Sequence, residues 1–173
     1  MYDLHFILIQ LKKEDTPLHG VMVRCVRCFY QWLDPTLWEG SALFELWAQE
    51  LELIYGDLRQ RLSPNAKTDA GSLGDRFGFD TPPELPRLLQ SIQTFYSVLI
   101  KLIAWNTLRG ATPEPPLTEL LSGRAFVNRG IRNFCGDDWY IWPLDIWDPA
   151  LETQCEELRA CLKSFDTCPE GST

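Results

Sequence analysis

The stretch from Leu85 to Leu108, LPRLLQSIQTFYSVLIKLIAWNTL, decides the fold of this chain. Its apolar residues recur at steps of three, one, three, four, three and four positions, at Leu85, Leu88, Leu89, Ile92, Tyr96, Leu99 and Ile103. Its polar residues keep the same period on the opposite face, at Arg87, Gln90, Thr94, Ser97 and Lys101. This spacing is that of an amphipathic α-helix. More apolar residues near Leu108 widen the apolar face, so we expect that half to be covered on most sides.

Two further segments combine the helical period with signals at their ends. The first runs from Leu18 to Leu33, and the second from about Pro149 to Phe165. Asp34-Pro35 ends the first segment, because proline disfavours helical backbone in the residue before it. Asp148 suits the N-cap of the second segment. The inner face of that segment has apolar residues at Leu151, Cys155, Leu158, Cys161, Leu162 and Phe165.

A third segment, Thr36–Leu62, also has the helical period, with tryptophan, leucine and isoleucine recurring at threes and fours. Pro35 suits its first turn and Asp34 its N-cap. At the N-terminus, residues 2–11 are apolar but too few for the period to distinguish a strand from the start of a helix.

The remaining segments are rich in glycine, proline and small polar residues, which are typical of loops. Residues 63–84 predict a surface loop with a brief turn that tucks Phe77 and Phe79 under the helices. Thr81 or a neighbour is then the expected cap of the central helix, and Gly110 the glycine that ends it. Two further irregular segments are expected, a proline-rich linker at 110–117 and a frayed tail at 167–173.

The segment from Gly123 to Asp148 is crowded with aromatic residues but has no steady period. We expect a helical turn at Leu117–Ser122, then a short helix and an irregular aromatic segment. Together these features predict an all-α fold. The expected architecture is an irregular bundle of about four to six helices in a single domain, residues 1–173, in which the fold of residues 1–17 is left open.

Composition limits the classes of function. The 173 residues suffice for one domain, or for part of a larger protein. A net charge of −8 argues against wrapping a phosphate backbone, because nucleic-acid binding needs a basic face. The sequence has no signal-peptide pattern and no uninterrupted apolar run of membrane-spanning length. We therefore expect a soluble, cytoplasmic protein with no membrane partner.

The six cysteines contain one close pair, Cys25 and Cys28, inside a segment that is predicted to be helical. The others have no second close pair: Cys135, Cys155, Cys161 and Cys168. A structural zinc site usually has two tight ligand pairs. Ordinary buried or free thiols are therefore favoured over zinc or redox chemistry, and a disulfide framework is not expected.

Acidic residues near the aromatic segment invite comparison with a metal or acid–base site: Asp137, Asp138, Asp145 and Asp148. Turns and helix N-caps favour aspartate at such positions, so a structural role is the stronger interpretation. The two histidines, His5 and His19, have no acidic or nucleophilic neighbour in a recognised pattern. We expect no catalytic residue and no metal ligand among these groups.

Three glycines lie close together in the 63–84 loop, at Gly71, Gly74 and Gly78. Their spacing fits neither a Walker A loop nor the dinucleotide fingerprint, and no predicted strand precedes them. A nucleotide site is therefore not expected.

Large aromatic residues are the remaining candidates for function. Seven tryptophans in a chain of this size predict plugs between helices, with an exposed patch for a partner as the alternative. The candidates for packing or for an interface are Trp38, Trp47, Tyr96, Trp105, Phe134, Trp139, Trp142 and Trp147.

Three segments together resemble the helical region of large adenine-N6 DNA methyltransferases, including type IIG restriction-modification enzymes and related phage-defence methylases. The central helix matches at Thr94, Tyr96, Leu99, Ile100, Lys101, Leu102 and Ala104. The preceding helix matches through the step Tyr55-Gly56. The aromatic segment matches at Gly130, Ile131, Asn133, Phe134, Asp138, Trp142, Leu144 and Trp147, and departs from the family at Asp137 and Pro143. The similarity spans roughly residues 38–165.

The resemblance implies that a methylase domain, present in the family, is missing from this sequence. In the family, a methylase domain follows this region, binds S-adenosylmethionine and holds the flipped adenine with an Asn/Asp-Pro-Pro-aromatic motif. The double prolines of this chain, Pro82-Pro83 and Pro115-Pro116, lack the flanking residues of that motif. By this resemblance the chain is a helical segment, truncated or split from its catalytic domain, and no catalytic or cofactor-binding residue carries over.

Three hypotheses remain open at this point. In the first, the chain is a helical scaffold that braces a methyltransferase domain or subunit and meets DNA only indirectly. In the second, it is a stand-alone acidic module that binds a basic partner. In the third, it is a small enzyme or zinc protein that uses its cysteines.

Overall fold

The computed structural model describes residues 4–34, 44–50, 53, 73–110, 112–135 and 138–164, leaving aside the side chains of residues 4–6, 138 and 139. Every regular element in these ranges is helical, which confirms the all-α prediction. The helices are α1 (Leu4–Lys12), α2 (Pro17–Trp32), α3 (Leu85–Leu108), α4 (Leu117–Leu121), α5 (Arg124–Val127), α6 (Asp138–Ile141) and α7 (Pro149–Lys163), with a 3-10 turn at Trp142–Leu144. Further helical residues lie at 44–50, 53 and 73–76.

Side-chain caps fix the starts of α2 and α7. The hydroxyl of Thr16 accepts the backbone N–H of His19 at 3.2 Å, and the carboxylate of Asp148 accepts that of Leu151 at 2.8 Å. Both helices also have proline in their first turn, where the missing N–H costs nothing. The Asp148 cap confirms the structural interpretation of this aspartate.

Helix α3 begins and ends at the predicted residues, Leu85 and Leu108. Its N-cap is Glu84, close to Thr81 as expected, and this residue makes no side-chain capping bond. Phe77 is buried before it in a turn, as predicted. Residues 73–76 are helical, which corrects the loop expected there. Gly110, with a φ of +54°, follows the helix as its terminating glycine.

The core forms where α2 packs against both α3 and α7, while α1 covers another side of α2. Trp142 enters this core from the 3-10 turn and is 1% exposed. Its ring meets that of Phe29 edge-on, with centroids 5.9 Å apart. Its indole N–H donates to the hydroxyl of Thr94, at 2.9 Å. The aromatic segment is therefore tied directly to the central helix.

The faces of α3 differ from the predicted amphipathic pattern. Three residues assigned to its polar face, Gln90, Thr94 and Lys101, are buried. Tyr96, assigned to the apolar face, is 41% exposed. The reason is that α3 is contacted on several sides, by α2, α4, α6 and α7. Thr94 and Lys101 are tolerated inside because each has a partner: the Thr94 hydroxyl accepts from the Trp142 indole, and the Lys101 ammonium donates to the Leu121 carbonyl at 2.7 Å.

Aromatic rings connect the end of α3 to the segment around α5. The ring of Phe126 lies between those of Trp105 and Phe134, at centroid distances of 5.8 and 4.4 Å. The Arg129 guanidinium lies 4.9 Å from the centre of the Trp105 ring and donates to the carbonyls of Leu108 and Arg109. These contacts satisfy carbonyls that a helix end leaves without intrahelical donors.

The Glu114 carboxylate, on the proline-rich linker, lies close to basic side chains at the ends of α3 and α7. Glu114 accepts from Arg109 at 2.9 Å and from Lys163 at 2.7 Å. Arg159 lies 3.9 Å from the same carboxylate and donates to the Pro115 carbonyl. The linker is thereby fastened between the ends of α3 and α7.

This arrangement predicts a specific pH dependence of stability. Burial by itself raises the pKa of Glu114, but the hydrogen bond from Lys163 and the surrounding positive charges hold that pKa below its ordinary value. A group whose pKa is lowered on folding stabilises the fold above its unfolded pKa, about 4.3 for glutamate, and loses that effect as the pH falls. Glu114→Gln should therefore lower the free energy of unfolding near neutrality, with the difference closing between about pH 5 and pH 3.

Urea denaturation of both proteins across that range measures the effect. Glu119→Gln is the control, because Glu119 is exposed on the neighbouring helix α4. A Glu114→Gln difference that stays constant with pH would show that the carboxylate charge does not stabilise the linker.

Several features predicted from sequence fall outside the described ranges. They are most of the helix Thr36–Leu62, including Trp38 and Tyr55-Gly56, the loop residues 63–72 with Gly71, the side chains of His5, Asp138 and Trp139, and Asp137, Cys168 and the tail 167–173.

Candidate interaction surface

An apolar stripe runs along the outside of α3. It is formed by Tyr96, Ile100, Ala104 and Leu108, which are spaced four residues apart, so each neighbours the next on the helix surface. Ala104 is half-buried against the core, and the other three are exposed. Ile100 is 54% exposed, and Tyr96 and Leu108 are 41% and 40% exposed. Large apolar side chains at this exposure on the main core helix are a candidate contact for a partner. We call these four residues the α3 stripe.

A groove lies beside the N-terminal half of the stripe. It has a volume of about 350 Å³ and lies between α3 and the residues Asn133, Phe134 and Tyr140. Its lining is Gln93, Tyr96, Ser97, Ile100, Lys101, Asn133, Phe134 and Tyr140. We call this depression the α3 groove. Because Tyr96 and Ile100 belong to both features, stripe and groove form one continuous surface.

Polar side chains that line the groove make hydrogen bonds to other parts of the protein. The Tyr140 hydroxyl donates to the Gln93 amide oxygen at 2.8 Å, joining α6 to α3. The Lys101 ammonium points away to the carbonyl of Leu121. An adjoining cavity of about 10 Å³, between Lys101 and Pro143, is large enough for about one water molecule. The described lining of the groove therefore offers a surface for contact.

The predicted aromatic candidates separate into core and surface. Trp47, Trp105 and Trp142 are buried, so they pack the interior. Trp147 is half-buried against the core, and Phe134 is half-buried at the groove wall. Among the aromatic candidates whose side chains the structure describes, Tyr96 is the only one that is largely exposed to solvent. Of the predicted candidates, Tyr96 and Phe134 therefore contribute to the surface formed by the α3 stripe and the α3 groove. Ile100 also contributes to it, although the sequence analysis did not name this residue as an interface candidate.

The cysteines show the features of core thiols. Burial raises the pKa of Cys28 to about 11 and that of Cys155 to about 12, and it also raises the pKa of Cys25 and Cys161. A thiol with a raised pKa is protonated near neutrality and is a poor nucleophile. Within the described ranges, no three His, Cys, Asp or Glu side chains are grouped so as to hold a metal ion.

The remaining polar candidates have structural partners as well. A ring nitrogen of His19 lies 2.9 Å from the carbonyl of Leu11, at the junction of α1 and α2. Asp148 caps α7, and Asp145 is exposed after the 3-10 turn. Gly74 and Gly78 flank the short turn that carries Phe77. These groups are not brought together into one site.

Helix α3 is long and apolar enough to cross a membrane by length and composition alone, with a mean hydropathy of 1.2 over 18 residues. However, 56% of that window is buried inside the protein. Burial of this extent is typical of a core helix, so the hydropathy is weak evidence for a membrane span.

Comparisons of the chain with protein-family models, with characterised proteins and with solved structures give no match.

Proposed function

We propose that this chain is a non-catalytic helical scaffold of an adenine-N6 DNA methyltransferase or restriction-modification system, and that it docks on the methyltransferase domain or subunit through the α3 stripe. The observation that carries the proposal is the exposure of Tyr96, Ile100 and Leu108 on the helix that also forms the core. A partner that covers this stripe removes apolar area from water, at about 25 cal/mol per Å².

The central helix, α3, contains both residues that resemble the methyltransferase region and residues of the proposed docking surface. Two of the segments that resemble the methyltransferase region are joined by the hydrogen bond between Thr94 and Trp142. The exposed residues Tyr96 and Ile100 lie within the same resembling stretch. One side of this stretch therefore packs the scaffold, while the other side is available for a partner.

In this role the chain binds no cofactor itself. S-adenosylmethionine would bind to the partner's methylase domain, and the scaffold would meet DNA only indirectly. The hydrogen bonds of Tyr140 and Lys101 in the groove join parts of the scaffold to each other, which agrees with a bracing role. The system would operate in the cytoplasm, where the DNA is.

The alternative of a stand-alone acidic module depends on an unneutralised acidic face. Helix α7 carries Glu152, Glu156 and Glu157 near one another. Arg159 pairs with Glu156, and Arg24 pairs with Glu157 at 2.8 Å. On helix α7, these cations pair with two of the three carboxylates, and this supports the scaffold over an acidic mimic of DNA.

Co-purification of this chain with an adenine-N6 DNA methyltransferase of its source organism tests the proposal. The unaltered chain should bind at micromolar concentration or below. Ile100→Asp should weaken binding by about tenfold or more, because it places a charge in the apolar centre of the contact. Leu8→Asp is the matched control, since Leu8 is 51% exposed on α1 and lies off the stripe.

Thermal unfolding of both variants verifies that each is folded. Absence of binding by the unaltered chain at micromolar concentration would contradict the proposal. So would an equal loss of binding in Ile100→Asp and Leu8→Asp.

A further inference from the structure

Two buried thiols lie together where α2 packs against α7. Cys25 of α2 and Cys155 of α7 are each 1% exposed and belong to the same core. Both are free thiols, as are the other cysteines within the described ranges. Neither belongs to the α3 stripe or the α3 groove, so the two thiols form a separate feature of the protein.

Two contacts fix how the helices face each other at this point. The Cys25 thiol donates to the backbone carbonyl of Gln154 at 3.5 Å. Beside it, Arg24 pairs with Glu157 at 2.8 Å. Cys25 therefore lies opposite the stretch 154–157 of α7, which includes Cys155.

The contact with Gln154 also limits the distance between the two cysteines. The Gln154 carbonyl oxygen and the Cα of Cys155 belong to one planar peptide unit and are about 2.8 Å apart. The Cys25 sulfur is therefore at most about 6 Å from that Cα. Disulfides join residues whose Cα atoms are about 4.4–6.8 Å apart. Rotation of the two thiols with a small shift of the helices is thus enough to bring the sulfurs together.

The electrostatics of Cys25 agree with this proximity. Burial raises the pKa of Cys25 most, and the next largest effect is that of Cys155, ahead of the effect of Cys28. A neighbouring acid raises the pKa of a thiol more strongly the closer it lies. Cys155 is therefore the nearest thiol to Cys25 by this measure as well.

A groove between the same two helices gives a small oxidant a route to the pair. It has a volume of about 540 Å³, and its lining includes Val21 and Arg24 of α2 and Glu157 of α7. Val21 is about one turn before Cys25 on α2. Hydrogen peroxide is little larger than water, so a brief local opening beside this groove is enough to admit it.

We propose that Cys25 and Cys155 form a redox-sensitive lock, in which hydrogen peroxide joins them in a disulfide between α2 and α7. One thiol loses its proton and attacks an oxygen of the peroxide. The O–O bond breaks, which leaves a sulfenic acid and a hydroxide that takes up the proton. The second thiol then attacks the sulfenic sulfur, and the S–O bond breaks as water leaves. Two thiols and one hydrogen peroxide thus give one disulfide and two water molecules.

The disulfide would change the stability of the whole scaffold. It closes a loop from residue 25 to residue 155, and a long loop strongly restricts the unfolded chain. The oxidised protein should therefore melt about 5–15 °C higher than the reduced protein. The raised pKa of both thiols makes the reaction slow near neutrality, so the lock responds to strong oxidation only.

Mass spectrometry of the full chain after treatment with hydrogen peroxide tests the inference. The folded protein is oxidised, the remaining thiols are alkylated, and the chain is digested without reductant. Trypsin cleaves after Arg27 and so separates Cys25 from Cys28. The expected product is a pair of peptides linked through Cys25 and Cys155, and the melting temperature should rise and then return on reduction.

Serine and alanine variants identify the two sulfurs. Cys25→Ser and Cys155→Ala should each abolish the linked peptides and the rise in melting temperature, with circular dichroism to verify folding. Cys161→Ser is the matched control, because Cys161 lies on α7 but about 9 Å along the helix from Cys155. It should leave both results unchanged. If a variant does not fold, the mapping of the unaltered chain decides the question.

The remaining outcomes overturn the inference. Folded protein in which Cys25 and Cys155 stay reduced while Cys161 is oxidised would show that peroxide does not reach the pair. Linkage of either residue to Cys28 would show that another pair is closer. Equal yields of all cysteine pairs would show that the disulfides form in unfolded chains. Since no methyltransferase is present, none of these results bears on the proposed function.

Discussion

Trp142→Ala is expected to lower the free energy of unfolding by about 3–5 kcal/mol, the range for removing a large buried aromatic side chain. Trp142 is 1% exposed, so truncation leaves a cavity at the junction of α2, α3 and the aromatic segment. It also removes the edge-on contact with Phe29 and the hydrogen bond to Thr94. Urea denaturation followed by circular dichroism at 222 nm measures the loss.

Milder variants separate packing from the hydrogen bond. Trp142→Phe keeps much of the ring but leaves the Thr94 hydroxyl without its indole donor, at a cost of about 1–3 kcal/mol. Adding Thr94→Val removes that buried hydroxyl, so the double variant should lose less than the sum of the two single variants. A loss below about 1 kcal/mol for Trp142→Ala would mean that Trp142 is not a core residue.

Gly123→Ala is expected to cost about 3 kcal/mol or more. Gly123 has a φ of +82°, a backbone conformation that is strained by about 1–2 kcal/mol in residues with a Cβ. A Cβ there would also lie 2.3 Å from the Phe134 carbonyl oxygen and 2.9 Å from the Cys135 sulfur. The oxygen belongs to the backbone, so relief requires the segment 123–135 to move.

Gly130 supplies a matched control for this substitution. Its φ is +78°, but a Cβ there would meet no atom within 4 Å. Gly130→Ala should therefore cost only the conformational strain, about 1–2 kcal/mol. Equal losses in the two variants, again measured with urea, would show that the contact between Gly123 and Phe134 is not close. Because Phe134 walls the α3 groove, Gly123→Ala should also weaken binding at that surface.

The helices could be predicted because their signals are local. The period of α3, the proline and Asp148 at the start of α7, and Gly110 after α3 all act within a few residues. The cap of α3 was predicted only as Thr81 or a neighbour, because the actual N-cap, Glu84, makes no side-chain capping bond that would identify it in the sequence.

The faces of α3 could not be predicted from its own sequence. Thr94 and Lys101 are polar, yet each is buried because a partner far along the chain, Trp142 or Leu121, satisfies it. Apolar residues are numerous around the whole helix, so the period alone did not identify the side left exposed. That side depends on which elements pack against α3, and this is a property of the tertiary structure.

The candidate surface had a partial signal in the sequence. A four-residue repeat from Tyr96 to Leu108 is readable there. The role of Ile100 was not, because nothing local distinguishes an exposed isoleucine from a buried one. The close approach of Phe134 to Gly123, eleven residues earlier, likewise had no local signal.

Hydroxyl-radical footprinting of the chain, alone and with an adenine-N6 DNA methyltransferase of its source organism, tests most directly whether the α3 stripe is the docking face. The account predicts that oxidation of Tyr96, Ile100 and Leu108 falls several-fold on binding, while oxidation of Leu8 is unchanged. Undiminished oxidation of the three stripe residues in a complex that has formed would contradict it.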